Sequence, residues 1–332
     1  MNREILLKSR PVGKPTTANF EIVNSEPISL NNGELLLKAR YISVDPYMRG
    51  RMSDAKSYVE PYQVGKPIEG GIVAEVVESR SPQFSPGDSV FGMLQWKLVQ
   101  AVSAEKVTKL NKETAPLSYY LGILGMPGLT AYFGLLDIGK PKEGETVVVS
   151  GAAGAVGMVV GQIAKLKGCR VVGIAGSDAK VNYLLNELQF DAVINYKTIT
   201  NLDAAIASAC PSGIDVYFDN VGGIISDAVV AQINKGARII ICGQISLYNE
   251  TTQPMGPRIQ PTILKRSALM QGFIVSNYTE RFPEGFKKLA TWITEGKMKY
   301  TQTTLNGFDR LPEAFIGLFE GNNTGKLIVE MQ

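Results

Sequence analysis

Apolar and polar positions follow two different rhythms along the chain. From Thr146 onward, short β-branched runs alternate with stretches in which apolar residues recur every three or four positions. A strand buried on both faces reads as a continuous apolar run and an amphipathic helix as a 3.6-residue period, so this alternation predicts βαβ units building a parallel sheet. Strands are expected at 146–150, 170–175, 192–195, 215–219, 238–242 and 269–275, with helices at about 154–167, 179–188, 202–209, 225–234 and 262–266. Six strands with crossovers predict a doubly wound, nucleotide-binding sheet. The chain up to about Met126 reads differently. Strand-like runs at 35–42, 72–78 and 98–102 are separated by turns such as Asn32-Gly33 and Ser85-Pro86-Gly87-Asp88, which predicts a mostly antiparallel β domain. After an amphipathic helix at 283–295, the tail ends in a strand at 326–329 that is free to return to the first domain. The expected layout is therefore 1–127, 128–298 and a C-terminal segment, 299–332.

Composition narrows the chemistry. With 332 residues the chain exceeds what one core usually serves, and about two domains are expected. Thirty-four basic residues against 31 acidic ones leave a net charge of +3 with no basic block, so nucleic acid is a poor partner. The sequence has no histidine, which excludes Ser-His-Asp and Cys-His catalysis, histidine metal ligands and an imidazole proton shuttle. Its three cysteines, Cys169, Cys210 and Cys242, are far apart and odd in number, which suits a reducing compartment better than a disulfide framework. The N-terminus lacks the apolar region of a signal peptide, so a cytoplasmic protein is expected. Two uncharged stretches, 117–136 and 146–164, are long enough to span a bilayer, but small residues interrupt both and they read better as soluble elements.

The run Val147-Val148-Val149-Ser150-Gly151-Ala152-Ala153-Gly154-Ala155-Val156-Gly157 passes from an apolar strand into a helix. In that context the glycines predict a tight turn whose backbone N–H groups, at the positive end of a helix, receive a pyrophosphate. Ala152 takes the first slot of the GxGxxG form, with Gly154 and Gly157 in the other two. Where the second strand ends, a ribose 2′-OH usually meets an acid, but here the chain reads Ala175-Gly176-Ser177-Asp178-Ala179-Lys180. Gly176 and Ser177 leave room, and Lys180 stands one helical turn on, so a 2′-phosphate and hence NADP(H) is preferred, with Asp178 as the counter-argument. The turns Asp219-Asn220-Val221-Gly222-Gly223 and Cys242-Gly243-Gln244-Ile245-Ser246 follow strands at the same sheet edge, which makes Asn220 and Gly243 cofactor candidates. Cys242 reads as a small apolar side chain rather than a nucleophile.

Taken with Ser43-Val44-Asp45-Pro46-Tyr47-Met48-Arg49, Gly125-Met126-Pro127-Gly128-Leu129-Thr130-Ala131-Tyr132 and Tyr217-Phe218-Asp219-Asn220, these motifs resemble the zinc-independent medium-chain dehydrogenase/reductases. Within them the chain is similar to the prostaglandin reductases, 2-alkenal double-bond reductases and bacterial curcumin reductases. The resemblance implies a GroES-like β domain, completed by the tail, beside a Rossmann domain, with the active site in the cleft between them. It also implies a homodimer and NADPH-dependent reduction of the carbon–carbon double bond of an enone or alkenal. Carried over by motif, Thr130, Ala155, Val156, Lys180, Tyr196, Asn220, Phe273 and Asn323 would contact the cofactor; Gly154, Gly157, Gly176, Ser177, Cys242 and Gly243 join them from the turns above. Tyr47, Met126 and Tyr248 would face the substrate.

No metal is expected. The segments Val44-Asp45-Pro46-Tyr47 and Ile68-Glu69-Gly70-Gly71 stand where zinc members of the superfamily carry their ligands. Without a Lewis acid, alcohol oxidation loses its means of polarising oxygen, whereas conjugate hydride delivery needs orientation and a donor for the developing enolate. Tyr248 is the candidate for that donor, in competition with water or a ribose hydroxyl. Arg49 and Arg51 read as solvated arginines before they read as a site for an acidic substrate tail. A quinone or carbonyl reductase on the same scaffold, a non-catalytic NADPH-binding protein and a methyltransferase are the rival readings.

Overall fold

The structure, a computed structural model, describes residues 2–331. Its chain divides into two compact units, one running to Leu121 and resuming at Gln302, the other spanning Gly122–Thr301. The first junction falls before the expected 127/128 position. Pro127 sits in the first turn of a helix, Met126–Phe133, where its missing N–H leaves nothing unpaired, and that helix belongs whole to the second unit.

The first unit contains β1 (Arg3–Leu7), β2 (Phe20–Asn24), β3 (Glu34–Ser43), the short α1 (Met48–Arg51), β4 (Glu69–Ser79), β5 (Ser89–Gln95), β6 (Val99–Ser103) and β7 (Thr108–Lys109). The second begins with α2 (Met126–Phe133) and continues through β8 (Thr146–Ser150), α3 (Gly157–Leu166), β9 (Arg170–Ala175), α4 (Asp178–Asn182), β10 (Ala192–Asn195) and α5 (Leu202–Ala209). It is completed by β11 (Ile214–Asp219), α6 (Gly223–Val230), β12 (Ile233–Ile241), α7 (Gln260–Arg266), β13 (Leu269–Gly272) and α8 (Phe282–Thr294). The tail returns β14 (Gln302–Asn306), α9 (Leu311–Leu318) and β15 (Lys326–Glu330) to the first unit.

In the first unit the sheet order is β14-β15-β3-β4-β5-β7, with β6 also paired to β3, and every pair but β14–β15 is antiparallel. The tail strand is thus built into the sheet, Ile328 facing Ser43 and Val329 facing Ile42. Its alternate side chains join a core with Leu35, Leu37, Ile72, Trp96 and Phe315.

The second unit carries six parallel strands in the order β10-β9-β8-β11-β12-β13. Connections run one way from β8 through β9 to β10 and the other way from β11 onward, so the crevice between the ends of β8 and β11 is the switch point where such sheets bind ligands. The fold is α/β, a doubly wound Rossmann sheet with a mostly antiparallel β unit.

Several expected boundaries differ, with the largest shifts between α6 and β12 and at the end of β13. The helix expected at 225–234 ends at Val230 and β12 begins at Ile233, because Ile233 pairs with Ile214 before the ladder slips and resumes with Arg238 opposite Val216. Gly236, with φ of 77°, carries the chain around that slip. The strand expected to reach Val275 stops at Gly272, and the Phe273 ring packs edge-on to Phe218 and Tyr278. Among the described residues, no helix is long and apolar enough to cross a membrane.

Candidate cofactor and active site

Strand β8 delivers the Gly151–Val156 turn to the start of α3. A Cβ on Gly157 would lie 2.4 Å from the Gly151 carbonyl oxygen and 2.8 Å from Ala152 Cα, so only glycine lets the helix begin this close over the turn. The first turn of a helix has no intrahelical acceptors for its N–H groups, and its dipole is positive there. The Gly154 N–H closes the turn on the Gly151 carbonyl at 2.9 Å, and Ala155, Val156 and Gly157 follow it at the positive end of α3, where the chemistry fits a pyrophosphate.

At the end of β9 the expected residues come together. The Ser177 side chain caps α4, accepting from the Lys180 N–H at 3.4 Å, and the Tyr196 ring lies against Gly176, where a Cβ would meet it at 3.0 Å. Burial, followed by the repulsion of Lys197, lowers the Lys180 ammonium below the ordinary lysine range. Two ammonium groups close enough to repel each other suit an anion of more than one charge. Asp178, the counter-argument, has its carboxylate engaged by Asn195 Nδ2 at 2.7 Å. Lys197 was not foreseen, since a lysine after a short strand has no distinctive pattern.

The ends of β8, β11 and β12 are tied by one side chain. Asp219 is fully buried. Its Oδ1 accepts from Ser150 Oγ (2.9 Å), Tyr217 OH (2.8 Å), Val221 N (3.0 Å) and Gly222 N (2.9 Å), and its Oδ2 accepts from Gln244 Nε2 (3.0 Å). Asn220 is fixed by the same centre, donating from its backbone N to Ser150 Oγ (2.9 Å) and from Nδ2 to the Ser150 carbonyl (2.8 Å). The Asp219 carbonyl accepts from Cys242 N and Gly243 N. The Gln244 N–H donates to the Tyr248 hydroxyl oxygen at 3.3 Å. Burial raises the Tyr248 phenol, with Cys242 and Asp219 adding to it against the Gln244 bond. Ser150, Asp219 and Gln244 escaped the sequence reading as site residues. The signal available was an apolar run closing on a polar residue, Ser150 in one strand and Asp219 in its neighbour.

The remaining expected residues are distributed as follows. Thr130 and Met126 lie on α2, the Thr130 hydroxyl donating to the Met126 carbonyl at 2.7 Å. Phe273 is a buried ring, packed edge-on against Phe218 and Tyr278. Burial pushes the Cys242 thiol up to about 12, in keeping with an inert sulfur.

Tyr47 and Asn323 belong to the first unit. Tyr47 precedes α1, and its phenol is held well above the ordinary range by burial and then by Asp45 and Tyr62. Beside it, Lys326 Nζ donates to the Val44 carbonyl (2.7 Å) and to Asp45 Oδ1 (2.9 Å), while Ser43 donates to the other Asp45 oxygen. Asn323 Nδ2 donates to the Gly325 carbonyl at 2.7 Å, in the turn leading to β15. Arg49 is buried and donates to the Pro11 and Gly13 carbonyls. Arg51 lies over the Tyr62 ring at 4.1 Å and donates to Glu69 and the Glu60 carbonyl. Both arginines hold loops together rather than standing in solvent. Among the described residues, no group of three or more His, Cys, Asp or Glu is placed to hold a metal ion.

Comparison with known proteins identifies the family. Residues 3–110 match the family described as the N-terminal domain of oxidoreductase, and residues 155–292 match the one described as zinc-binding dehydrogenase. A Bacillus subtilis relative is 56% identical over 331 residues, covering 99% of this chain and 97% of its own. The NADPH-dependent curcumin reductase of Escherichia coli is 44% identical over 335 residues, again covering 99% and 97%. The solved structure of CurA from Vibrio vulnificus in complex with NADPH superposes with a TM-score of 0.95 at 45% identity, over 99% of each chain. The chain belongs to the medium-chain dehydrogenase/reductases, in the zinc-independent branch that holds the curcumin, prostaglandin and 2-alkenal reductases.

Proposed function

We infer that this protein is an NADPH-dependent reductase of the carbon–carbon double bond in α,β-unsaturated ketones or aldehydes. The observation that carries the inference is Tyr248. Its hydroxyl oxygen accepts the Gln244 N–H, so its own proton points to another acceptor, and burial keeps it protonated, at the same sheet edge as the anion-binding turn. The relatives support the same reading, one of them being named as an NADPH-dependent curcumin reductase.

In this reading the α3 turn holds the pyrophosphate through Gly154, Ala155, Val156 and Gly157, and Ser177, Lys180 and Tyr196 hold the 2′-phosphate. Asn220 and Gly243 line the switch point, with Cys242, Thr130, Phe273 and Asn323 as further contacts. When bound, NADPH would supply the hydride for the substrate's β-carbon, and a proton from solvent completes the α-carbon as the enolate collapses. The chain's share is orientation and charge. Tyr248 donates a hydrogen bond to the carbonyl oxygen as negative charge moves onto it, and Tyr47 and Met126 wall the substrate. No metal takes part in this reading: the chain has no histidine, and conjugate reduction can stabilise its enolate with a hydrogen-bond donor at oxygen and take its proton from solvent.

We further propose a cytoplasmic homodimer. Three free cysteines favour a reducing compartment. The edge strand β13 leaves backbone groups unpaired on one side, with Leu264 and Leu269 exposed nearby, which favours a second copy there. Light scattering at micromolar concentration should return twice the 36.0 kDa chain mass.

The deciding experiment follows reduced-nicotinamide absorbance with NADPH and NADH in parallel, against an alkenal, a long-chain enone, a curcumin-like dienone and a quinone. NADPH-selective loss with a saturated product from the enones is expected. Loss with the quinone alone would overturn the assignment in favour of a quinone reductase, and cofactor binding without any turnover would favour a non-catalytic protein.

A further inference from the structure

We propose that Asp219 is a positioning residue, a buried carboxylate that sets Asn220 on one side of the strand crevice and Tyr248 on the other. The proposal rests on the NADPH-dependent reading above and adds to it the part that aligns the two halves of the site. Five donors converge on this one side chain, and none of the contacts requires a proton on it. It is therefore bound as an acceptor through both oxygens, the arrangement that makes a buried carboxylate tolerable.

Two arms leave it. Through Oδ1 and the Ser150 hydroxyl it reaches the backbone N–H of Asn220, and the Asn220 side chain closes the loop on the Ser150 carbonyl. That arm spans the switch point, since Ser150 ends β8 and Asp219 ends β11. Through Oδ2 it holds the Gln244 side chain, and the Gln244 N–H in turn holds the Tyr248 hydroxyl. Gly222, with φ of 75°, has no Cβ to block this second arm: one there would lie 2.1 Å from Gln244 Oε1. Asp219 touches neither substrate nor cofactor in this scheme. It acts through Asn220 and Tyr248, so its two arms should separate cofactor binding from turnover.

The test uses the full chain, with three variants and two readouts. NADPH binding is measured without substrate from protein fluorescence, and kcat with saturating NADPH on whichever acceptor the wild type reduces. Ser150→Ala cuts the Asn220 arm and should weaken NADPH binding about tenfold, with a smaller loss in kcat. Gln244→Leu, at a half-buried turn position, cuts the other arm and should lower kcat about tenfold, with a smaller change in binding. Asp219→Asn is the conservative variant. It retains an oxygen for the four donors now on Oδ1, and a flipped Gln244 amide presents an oxygen to the new NH2 group, so it should keep more of both properties than Asp219→Ala. Equal loss of binding and turnover in both arm variants, in step with a lowered melting temperature, would reduce Asp219 to a fold-stabilising residue and overturn the proposal. So would unchanged binding in Ser150→Ala together with unchanged kcat in Gln244→Leu. If the wild type binds NADPH but reduces no acceptor, the activity assignment fails by itself, and unchanged NADPH binding in both Ser150→Ala and Asp219→Ala would then overturn the positioning role.

Discussion

At the scale of single residues, the proposed cofactor preference turns on one ammonium group. Lys180 has its charge made costly by burial and by Lys197, and in the proposed function a 2′-phosphate relieves that cost by pairing with both. A hydrogen bond to a charged group contributes about 1.5–3 kcal/mol, so Lys180→Gln should raise KM for NADPH by about ten- to a hundredfold and leave KM for NADH nearly unchanged. The pH dependence follows from the direction of the shift. Because the free-enzyme ammonium is lowered, KM for NADPH should begin to climb below pH 10.5 as the charge is lost, while KM for NADH stays flat. Parallel Michaelis curves for both cofactors from pH 7 to 10 check both statements, and an equal rise for NADH would remove Lys180 from the 2′-phosphate. Tyr248 makes a second prediction of this kind. Tyr248→Phe keeps the ring and deletes the donor, so kcat on enones should fall by about a hundred- to a thousandfold, the range found for removal of one donor to a developing oxyanion, with NADPH binding preserved. Stopped-flow single turnovers would show full rate retained if the proton comes from elsewhere.

Elements explain which parts of this structure were legible in the sequence. The strands β8, β9 and β10 and the helix α5 were readable residue by residue, because each is bounded by glycine, a charged residue or a cap such as Asn201, whose side chain accepts from Ala204 N. The edge between α6 and β12 was not, since Ala228 to Ile233 is apolar but for Gln232 and only pairing with Ile214 decides where helix gives way to strand. Strands β1, β2, β7 and β14 are short or carry polar and charged residues, so local pattern carried little of them. The glycine turn and the Ser177–Lys180 group were legible as local motifs; the Asp219 centre was not, because it is made by three strand ends that only the sheet brings together. A polar tie at the opposite end of the same strands yields a stability prediction. Glu145, just before β8, takes two bonds from the Arg238 guanidinium on β12 and one from Lys142 N, and Arg238 also donates to the Gly139 and Lys140 carbonyls. Burial pushes the Glu145 carboxyl up, but these bonds outweigh it and hold it below the ordinary value of 4.5. A carboxyl depressed in the folded state contributes stability that is complete above its unfolded pKa and disappears as pH falls through the folded one. Glu145→Gln should therefore cost about 1–3 kcal/mol at pH 7 and much less below pH 4, measured by urea titration at both pH values. An equal cost at both would assign the effect to packing.

On the scale of the whole molecule, the order of folding is written into the path of the chain. The second unit is continuous, Gly122–Thr301, and the core that includes Val148, Val172, Ile206, Tyr217 and Ile239 draws on no residue outside it. The first unit is split. Strand β3 completes its pairing only with β15, the core takes Phe308, Leu311, Phe315, Leu327 and Val329 from the tail, and buried Asp45 has its cation in Lys326. A buried carboxylate left without its partner costs about 3–5 kcal/mol, a large fraction of the stability of a domain. Residues 122–301 made alone should therefore unfold in one cooperative urea transition, whereas residues 1–121 alone should show none. The two halves of the first unit can also be joined, because the ends left by excising the second unit are near one another: a side chain on Gly122 would collide with the Tyr300 ring. Residues 2–121 linked to 302–331 by a short Gly-Ser segment should recover a cooperative transition, and Lys326→Met in that linked chain should abolish it. Cooperative unfolding of residues 1–121 without the tail would show that the returning strand covers a unit already folded rather than completing it.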